Sequence, residues 1–293
     1  MLGWFLKCGT KQGIFWATLI YLVGALNDVV MRFLGERLHW VEVAFFRFLF
    51  SLIVALIPML CAGRNLFKSN IHAQHALRGV LGAVALGLCC VSVSLMPLAE
   101  NTTILFSEAL FMLPLSAILL GEKIRPYSIA ATIIGFVGLL IMCRPRAGNI
   151  NAIAIVPILA ALLFAIMNIM IKKMINVKEH TLTMLFYFGL YATILSGIFV
   201  PFYWTAPNTR ELFLIMLLGI GANVIQLFIF LAYRSTTTSV ISPVRYVELP
   251  FAVLFGLLFF GQIPETASVI GATLIIVGST LASRIAKSGA GGT

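Results

Sequence analysis

The sequence predicts an all-α polytopic membrane protein of ten transmembrane helices, arranged as two inverted five-helix repeats. Three observations predict it: long apolar runs, an uneven distribution of Lys and Arg along the chain, and a self-match at one fixed offset. Of the 293 residues, 61% are hydrophobic and only 10% charged, and the mean hydropathy is +1.06. A soluble chain needs roughly 25% charged residues to coat its surface. Here the apolar residues gather into runs such as Ile14–Leu26, Val80–Leu95 and Phe251–Phe260. Crossing the hydrocarbon core takes ~20 mostly apolar residues folded as a helix, because lipid offers the backbone no hydrogen-bond partner.

On that basis the spans fall near residues 13–33, 40–62, 76–95, 99–120, 127–144, 152–172, 181–203, 211–233, 238–260 and 266–285. Their apolar faces meet membrane lipid. The polar stretches between them, around Gly63–His75, Lys172–His180 and Ala206–Glu211, are short connectors and leave no room for a soluble domain. A brief basic segment, Met1–Gln12, precedes the first run, and no small-residue cleavage site follows it. The first run is therefore expected to remain as a span and not to be removed as a signal peptide. The Gly-rich tail Ser288–Thr293 is expected to be disordered.

Orientation follows from the basic residues. With the amino terminus inside, thirteen Lys and Arg fall on the inner side: Lys7, Lys11, Arg64, Lys68, Arg78, Lys123, Arg125, Lys172, Lys173, Lys178, Arg234, Arg284 and Lys287. Five fall outside, namely Arg32, Arg37, Arg144, Arg146 and Arg210, while Arg47 and Arg245 lie within spans. Both termini are thus expected to be cytoplasmic. The same retention of cations in inner loops accounts for the net charge of +10 without a nucleic-acid partner.

Sliding the chain against itself by 140 residues gives a weak but ordered match. Asp28 falls on Asn168, Arg32 on Lys172, Phe46 on Phe186, Gly79 on Gly219, Glu108 on Glu248, Gly121 on Gly261 and Gly138 on Gly278. The same offset brings nearly every span boundary into register. Five spans per copy is an odd number, so the second copy enters the membrane upside down, as in secondary transporters that alternate access around a midplane site. The repeats are expected at 1–148 and 149–293.

Three segments carry a family resemblance: Asn27-Asp28 through Gly35, Glu42-Val-Ala-Phe-Phe-Arg-Phe48, and Ser242-Pro-Val-Arg-Tyr-Val-Glu-Leu249. The turns Gly121-Glu122 and Gly261-Gln262 add to it, with Gln standing in the second copy where the pattern has Glu. The chain resembles the drug/metabolite transporter superfamily of EamA type, and within it the S-adenosylmethionine uptake carriers of obligate intracellular bacteria. The resemblance implies a multi-pass protein of the bacterial inner membrane that imports S-adenosylmethionine, in exchange for S-adenosylhomocysteine. An exporter of amino acids or related metabolites on the same fold is the alternative.

Charges inside a bilayer are expensive, at least ~2.5–3.5 kcal/mol each, and mark function or a paired partner. Arg245 and Glu248 are three residues apart in the ninth span and share a helix face. They either pair with one another or grip a zwitterion, the guanidinium taking a carboxylate and Glu248 a cation. Glu108, the repeat partner of Glu248, fits a cationic substrate, a proton-coupling group or a hydrogen bond to a neighbouring helix. Asp28 and Arg47 occupy the outer halves of adjacent antiparallel spans and are expected to form a structural ion pair, with Asp28 also a substrate candidate. Glu42 lies near the outer surface and is expected to snorkel. Among the intramembrane amides Asn27, Asn101, Asn168, Asn223 and Gln226, each explicable by hydrogen bonds between helices, Asn168 stands out because it mirrors Asp28, and Asn101 joins it as a site candidate. Tyr187, Tyr246 and Phe106 stand beside polar positions and could stack on an adenine ring, although packing explains any one of them. The glycine pairs Gly79/Gly82 and Gly135/Gly138 are expected to allow close helix contact.

Nothing points to an enzyme or a cofactor. The four histidines lie in or near loops without an HExxH pattern, the five cysteines show no CxxC spacing, and no phosphate-binding glycine motif occurs.

Overall fold

The structure, a computed structural model, describes residues 9–62, 64–95, 104–124, 126–143, 154–261, 266 and 269–277. The described residues are helical and contain no strand. The helices are α1 (Thr10–Leu34), α2 (Trp40–Ala62), α3 (His72–Leu95), α4 (Glu108–Leu120), α5 (Pro126–Cys143), α6 (Ile155–Asn176), α7 (Thr181–Gly197) and α8 (Thr209–Ser235). A broken span follows: the one-turn α9 (Thr238–Ile241), a 3-10 stretch (Ser242–Val247) and α10 (Glu248–Phe260). Residues 269–277 form a further helix.

Seven described helices are long and apolar enough to cross a membrane, with shorter apolar helices at Glu108–Leu120 and Pro126–Ile141. Large apolar side chains such as Ile57, Leu60, Ile118 and Leu258 remain exposed around the perimeter. Water would not tolerate so continuous an apolar surface, whereas lipid solvates it. The chain is a multi-pass membrane protein. The first part of the fourth expected span and half of the tenth lie outside the described residues.

Packing is built on close helix approaches. α1 runs along α8 and against α10, α2 along α7 and α8, α3 along α6 and α7, and α4 against α6. At these contacts the expected glycines have no room for a side chain. A Cβ on Gly79 would stand 2.5 Å from Tyr191 Cβ, one on Gly82 2.6 Å from the Phe188 ring, one on Gly135 2.2 Å from the Tyr246 ring and one on Gly138 2.8 Å from Ile275. Gly219, 140 residues after Gly79, meets Phe50 Cβ at 2.4 Å in the same way.

α4 and α10 are alike in detail. Each has 13 residues, begins at a Glu and ends at a glycine in the left-handed region, Gly121 (φ 67°) and Gly261 (φ 62°). That conformation costs glycine nothing and closes the last turn, with Gly121 N–H donating to Ala117 O. Each helix also starts after tighter i→i+3 turns: Ser107 N donates to Ile104 O, and residues 242–247 are 3-10. Pro243 helps set that break, since it has no N–H to donate to the preceding turn.

At the end bearing the 35–39 and 203–208 loops, Arg37 pairs with Glu211 and donates to Ala206 O at 2.8 Å, and His39 stacks on Tyr203. The Glu211 carboxylate holds the Arg37 guanidinium above its ordinary pKa. Glu42 does not snorkel. It is fully buried, and its carboxylate accepts from the backbone N–H groups of His39 and Thr205, fastening the two loops together. At the opposite end, Tyr187 and Thr183 hydroxyls donate to Phe67 O and Leu66 O, each at 2.8 Å.

Candidate functional site

The break in the ninth span creates the site. In a 3-10 helix residues i and i+3 eclipse one another, so Arg245 stands in line with Glu248, the first residue of α10. Its two terminal nitrogens serve different helices. Nη1 lies 3.1 Å from Glu248 Oε2 and Nη2 lies 3.2 Å from Glu108 Oε2. The guanidinium thus bridges the first residues of α4 and α10. Both carboxylates sit at helix starts, where the helix dipole favours negative charge.

Other residues hold this arrangement in place. Asn168 of α6 donates from Nδ2 to Glu108 Oε1 at 2.7 Å. The guanidinium carbon lies 4.9 Å from the Phe106 ring and 5.7 Å from the Tyr21 ring, within cation–π range. Phe106 stacks in turn on Tyr246, at 6.3 Å between centroids, and Tyr246 is fully buried against Gly135. Ser242 donates to Ala109 O at 2.6 Å, tying the 3-10 stretch to α4.

Asp28 lies on α1 and is exposed, with Arg47 and Arg245 as the charges that act on it. Asp28 is thus accessible and lies within the field of both guanidiniums. Among the described residues no direct ion pair joins Asp28 to Arg47, and Arg47 Nη1 points to Met31 Sδ at 3.6 Å. Of the expected site residues, the structure therefore brings together Glu108, Arg245, Glu248, Asn168, Phe106 and Tyr246, with Asp28 adjacent. Tyr187 lies elsewhere, beside His72 and His75 near the Phe67 connector. Asn101 lies outside the described residues.

Two features escaped the sequence reading. Tyr21 is one, an aromatic on the α1 face that meets Arg245. The other is Arg78, assigned above to the inner side, which is fully buried in α3. Its guanidinium donates to Met184 O at 3.1 Å and Gln226 Oε1 at 2.8 Å and lies 4.4 Å over the Phe188 ring. The flanking Gly79, which draws α3 onto α7, was the available signal for its burial.

Counted as ionised, the intramembrane groups at the site are three carboxylates (Asp28, Glu108, Glu248) and two guanidiniums (Arg47, Arg245). One negative charge is left over. The arrangement can bind a zwitterion that carries an extra positive charge, with aromatic rings beside it.

Comparison with known proteins agrees with this architecture. The EamA-like transporter family matches twice, at residues 11–144 and 151–284, so the second match begins and ends 140 residues after the first. An S-adenosylmethionine uptake transporter of Rickettsia prowazekii is 34% identical over 265 residues, covering 90% of each chain. A riboflavin transporter of Rhizobium johnstonii is 26% identical, covering 93% of this chain and 91% of its own. A pseudopaline exporter of Pseudomonas aeruginosa is 25% identical, covering 94% and 98%. A solved crystal structure at 18% identity covers 95% of this chain and 98% of its own with a TM-score of 0.79, a likeness of fold. The repeated domain, the membrane-spanning helices and the polar site within them have one meaning: this chain is a transporter, not an enzyme, and belongs to the EamA-like transporter family.

Proposed function

We propose that the protein is a secondary carrier that imports S-adenosylmethionine across the bacterial inner membrane in exchange for S-adenosylhomocysteine. The observation that carries this reading is the Arg245 guanidinium bridging Glu108 and Glu248 in a site with one excess negative charge. S-adenosylmethionine bears a carboxylate, an ammonium and a sulfonium, a net charge of +1 that complements the site. Arg245 offers the planar fork that pairs with a carboxylate. Glu248 and Asp28 face the positive groups, and Phe106 and Tyr21, with Tyr246 behind Phe106, form an aromatic wall for the adenine. The names of the Rickettsia relatives support the same substrate.

The mechanism is alternating access of two inverted five-span halves, residues 1–148 and 149–293, with both termini cytoplasmic. Its support is the exchange pattern of helix contacts. α1 packs on α8 as α6 packs on α3, α2 on α8 as α7 on α3, and α1 on α10 as α6 on α4. A pair of half-helices whose N-termini face one another, as those of α4 and α10 do across Arg245, is the arrangement such carriers use to hold charged substrates. Exchange for internal S-adenosylhomocysteine needs no coupling ion.

The test is uptake of labelled S-adenosylmethionine into proteoliposomes preloaded with S-adenosylhomocysteine. We expect uptake that depends on the preload and is competed by S-adenosylhomocysteine but not by riboflavin, adenosine or methionine. Competition by aromatic amino acids alone would move the assignment to a metabolite exporter.

A further inference from the structure

The geometry points to Asp28 as the residue that selects the sulfonium form of the substrate over the thioether, by forming with Glu248 a cation subsite that the repeat-equivalent pair, Asn168 and Glu108, lacks. This rests on the reading above as a carrier of both forms, and concerns which residue tells them apart.

The inference comes from a departure from the repeat. Glu108 and Glu248 are equivalent, and so are Asn168 and Asp28. From the second half, the Asn168 amide donates to Glu108 of the first at 2.7 Å, so this carboxylate has a neutral donor on one oxygen and Arg245 on the other. In the first half, the position equivalent to Asn168 is a carboxylate. An ionised Asp is acceptor-only and cannot donate to Glu248. One side is closed by a hydrogen bond within the protein. The other presents two acceptors and no donor between them.

Packing leaves that second side open. A Cβ on Gly24 would stand 3.2 Å from Glu248 Oε1, so the Glu248 carboxylate lies directly against α1. Asp28 follows Gly24 by four residues, one turn along the same helix face, a rise of ~6 Å. Tyr21, three residues before Gly24, continues the stripe and meets Arg245 at 5.7 Å. The second half has the bulky Phe164 at the position of Gly24. Accessibility shows the same difference: the Glu108 side chain is 3% exposed, that of Glu248 14%, and Asp28 is exposed. Among the described residues no cation lies within ion-pair distance of Asp28, so its charge is met only at longer range, by Arg47 and Arg245. A sulfonium placed between Asp28 and Glu248, or an ammonium standing in its place, neutralises it. A thioether does not.

The experiment measures competition by S-adenosylmethionine, S-adenosylhomocysteine and the amine analogue, whose ammonium replaces the sulfonium, in proteoliposomes carrying wild type, Asp28→Asn or Asp28→Glu. In the wild type both cationic compounds should compete better than S-adenosylhomocysteine. Asp28→Asn should weaken them about tenfold or more and leave S-adenosylhomocysteine within about threefold, the loss expected for one charge contact shielded by a cavity. Asp28→Glu should preserve the preference. Parallel loss for all three compounds in Asp28→Asn, or no change, overturns the inference and leaves the proposed function standing. Equal competition by all three in the wild type also overturns it, whether or not the variants fold. A wild type that transports neither compound removes the proposed function itself.

Discussion

Replacing Arg245 by Lys keeps the charge and removes the geometry, which separates the two contributions of this side chain. Arg245 spans from Glu248 Oε2 at 3.1 Å to Glu108 Oε2 at 3.2 Å through different nitrogens of one plane. A lysine ammonium is a single point and can serve only one of those carboxylates at full strength. Losing one hydrogen bond to a charged group costs ~1.5–3 kcal/mol, and losing the guanidinium stack over Phe106 adds ~0.5–1 kcal/mol. Because the Arg245 side chain keeps 24% of its surface accessible, the lower end applies. A loss of about 2 kcal/mol is roughly thirtyfold in an equilibrium or rate constant. Initial rates of S-adenosylmethionine uptake in proteoliposomes should fall by that factor, with the thermal midpoint of the detergent-solubilised carrier shifted by only a few degrees. An Arg245→Lys variant with wild-type uptake would refute the bridging role. A collapse of the midpoint matching the loss of uptake would make Arg245 a structural brace instead.

Asn168→Leu removes the donor to Glu108 and should lower uptake about tenfold or more, since a hydrogen bond to a charged acceptor contributes ~1.5–3 kcal/mol; parallel measurement of the melting midpoint separates this from unfolding. Gly79→Val and Gly219→Val should each destabilise by ~1–3 kcal/mol, because their new atoms meet Tyr191 and Phe50 below contact distance, and thermal unfolding of the two variants should shift alike. Arg78→Met should destabilise by ~1–3 kcal/mol, leaving Gln226 without its donor, whereas adding Gln226→Leu should recover part of the loss in a double-mutant cycle of melting midpoints.

The helices were legible in the sequence, and facing was not. Hydropathy located the seven long apolar helices because each must be apolar over a fixed length, and the 140-residue offset paired Glu108 with Glu248, which begin two matching 13-residue helices. Which helix each charge looks towards depends on crossing geometry, which no local pattern encodes. Asp28 and Arg47 have the right depth for an ion pair, yet Arg47 reaches Met31 and Asp28 stays open. Tyr187 stands beside polar residues in sequence, but its hydroxyl is turned to the Phe67 carbonyl. Arg78 was assigned to the inner side because it begins a span after a polar connector; its burial depends on Phe188, Phe230 and Gln226, all more than a hundred positions away. The break at Ser242–Val247 had a visible cause in Pro243, but its consequence, the alignment of Arg245 with Glu248, needed the 3-10 geometry.

That break also links the site to the end of the bundle that bears Glu122 and Lys172. A 3-10 stretch inside a membrane is tolerable only where protein or an aqueous cavity satisfies its backbone. Here Ser242 is held to Ala109 O, and the preceding turn is capped from outside: Glu122 accepts from Thr238 N at 3.1 Å and Ser239 N at 3.3 Å. Lys172 adds a second clamp on the same segment, donating to Thr236 O at 2.8 Å and to Tyr233 O. Glu122 follows α4 and Lys172 belongs to α6, so both helices that hold Glu108 in place also grip the entry to the ninth span. Arg32, the repeat equivalent of Lys172, instead lies 4.3 Å over the Phe260 ring at the far end of α10. The two halves share a plan, and they use the cation at this repeat position differently: Lys172 grips the backbone that leads into the ninth span, whereas Arg32 meets the ring at the end of α10.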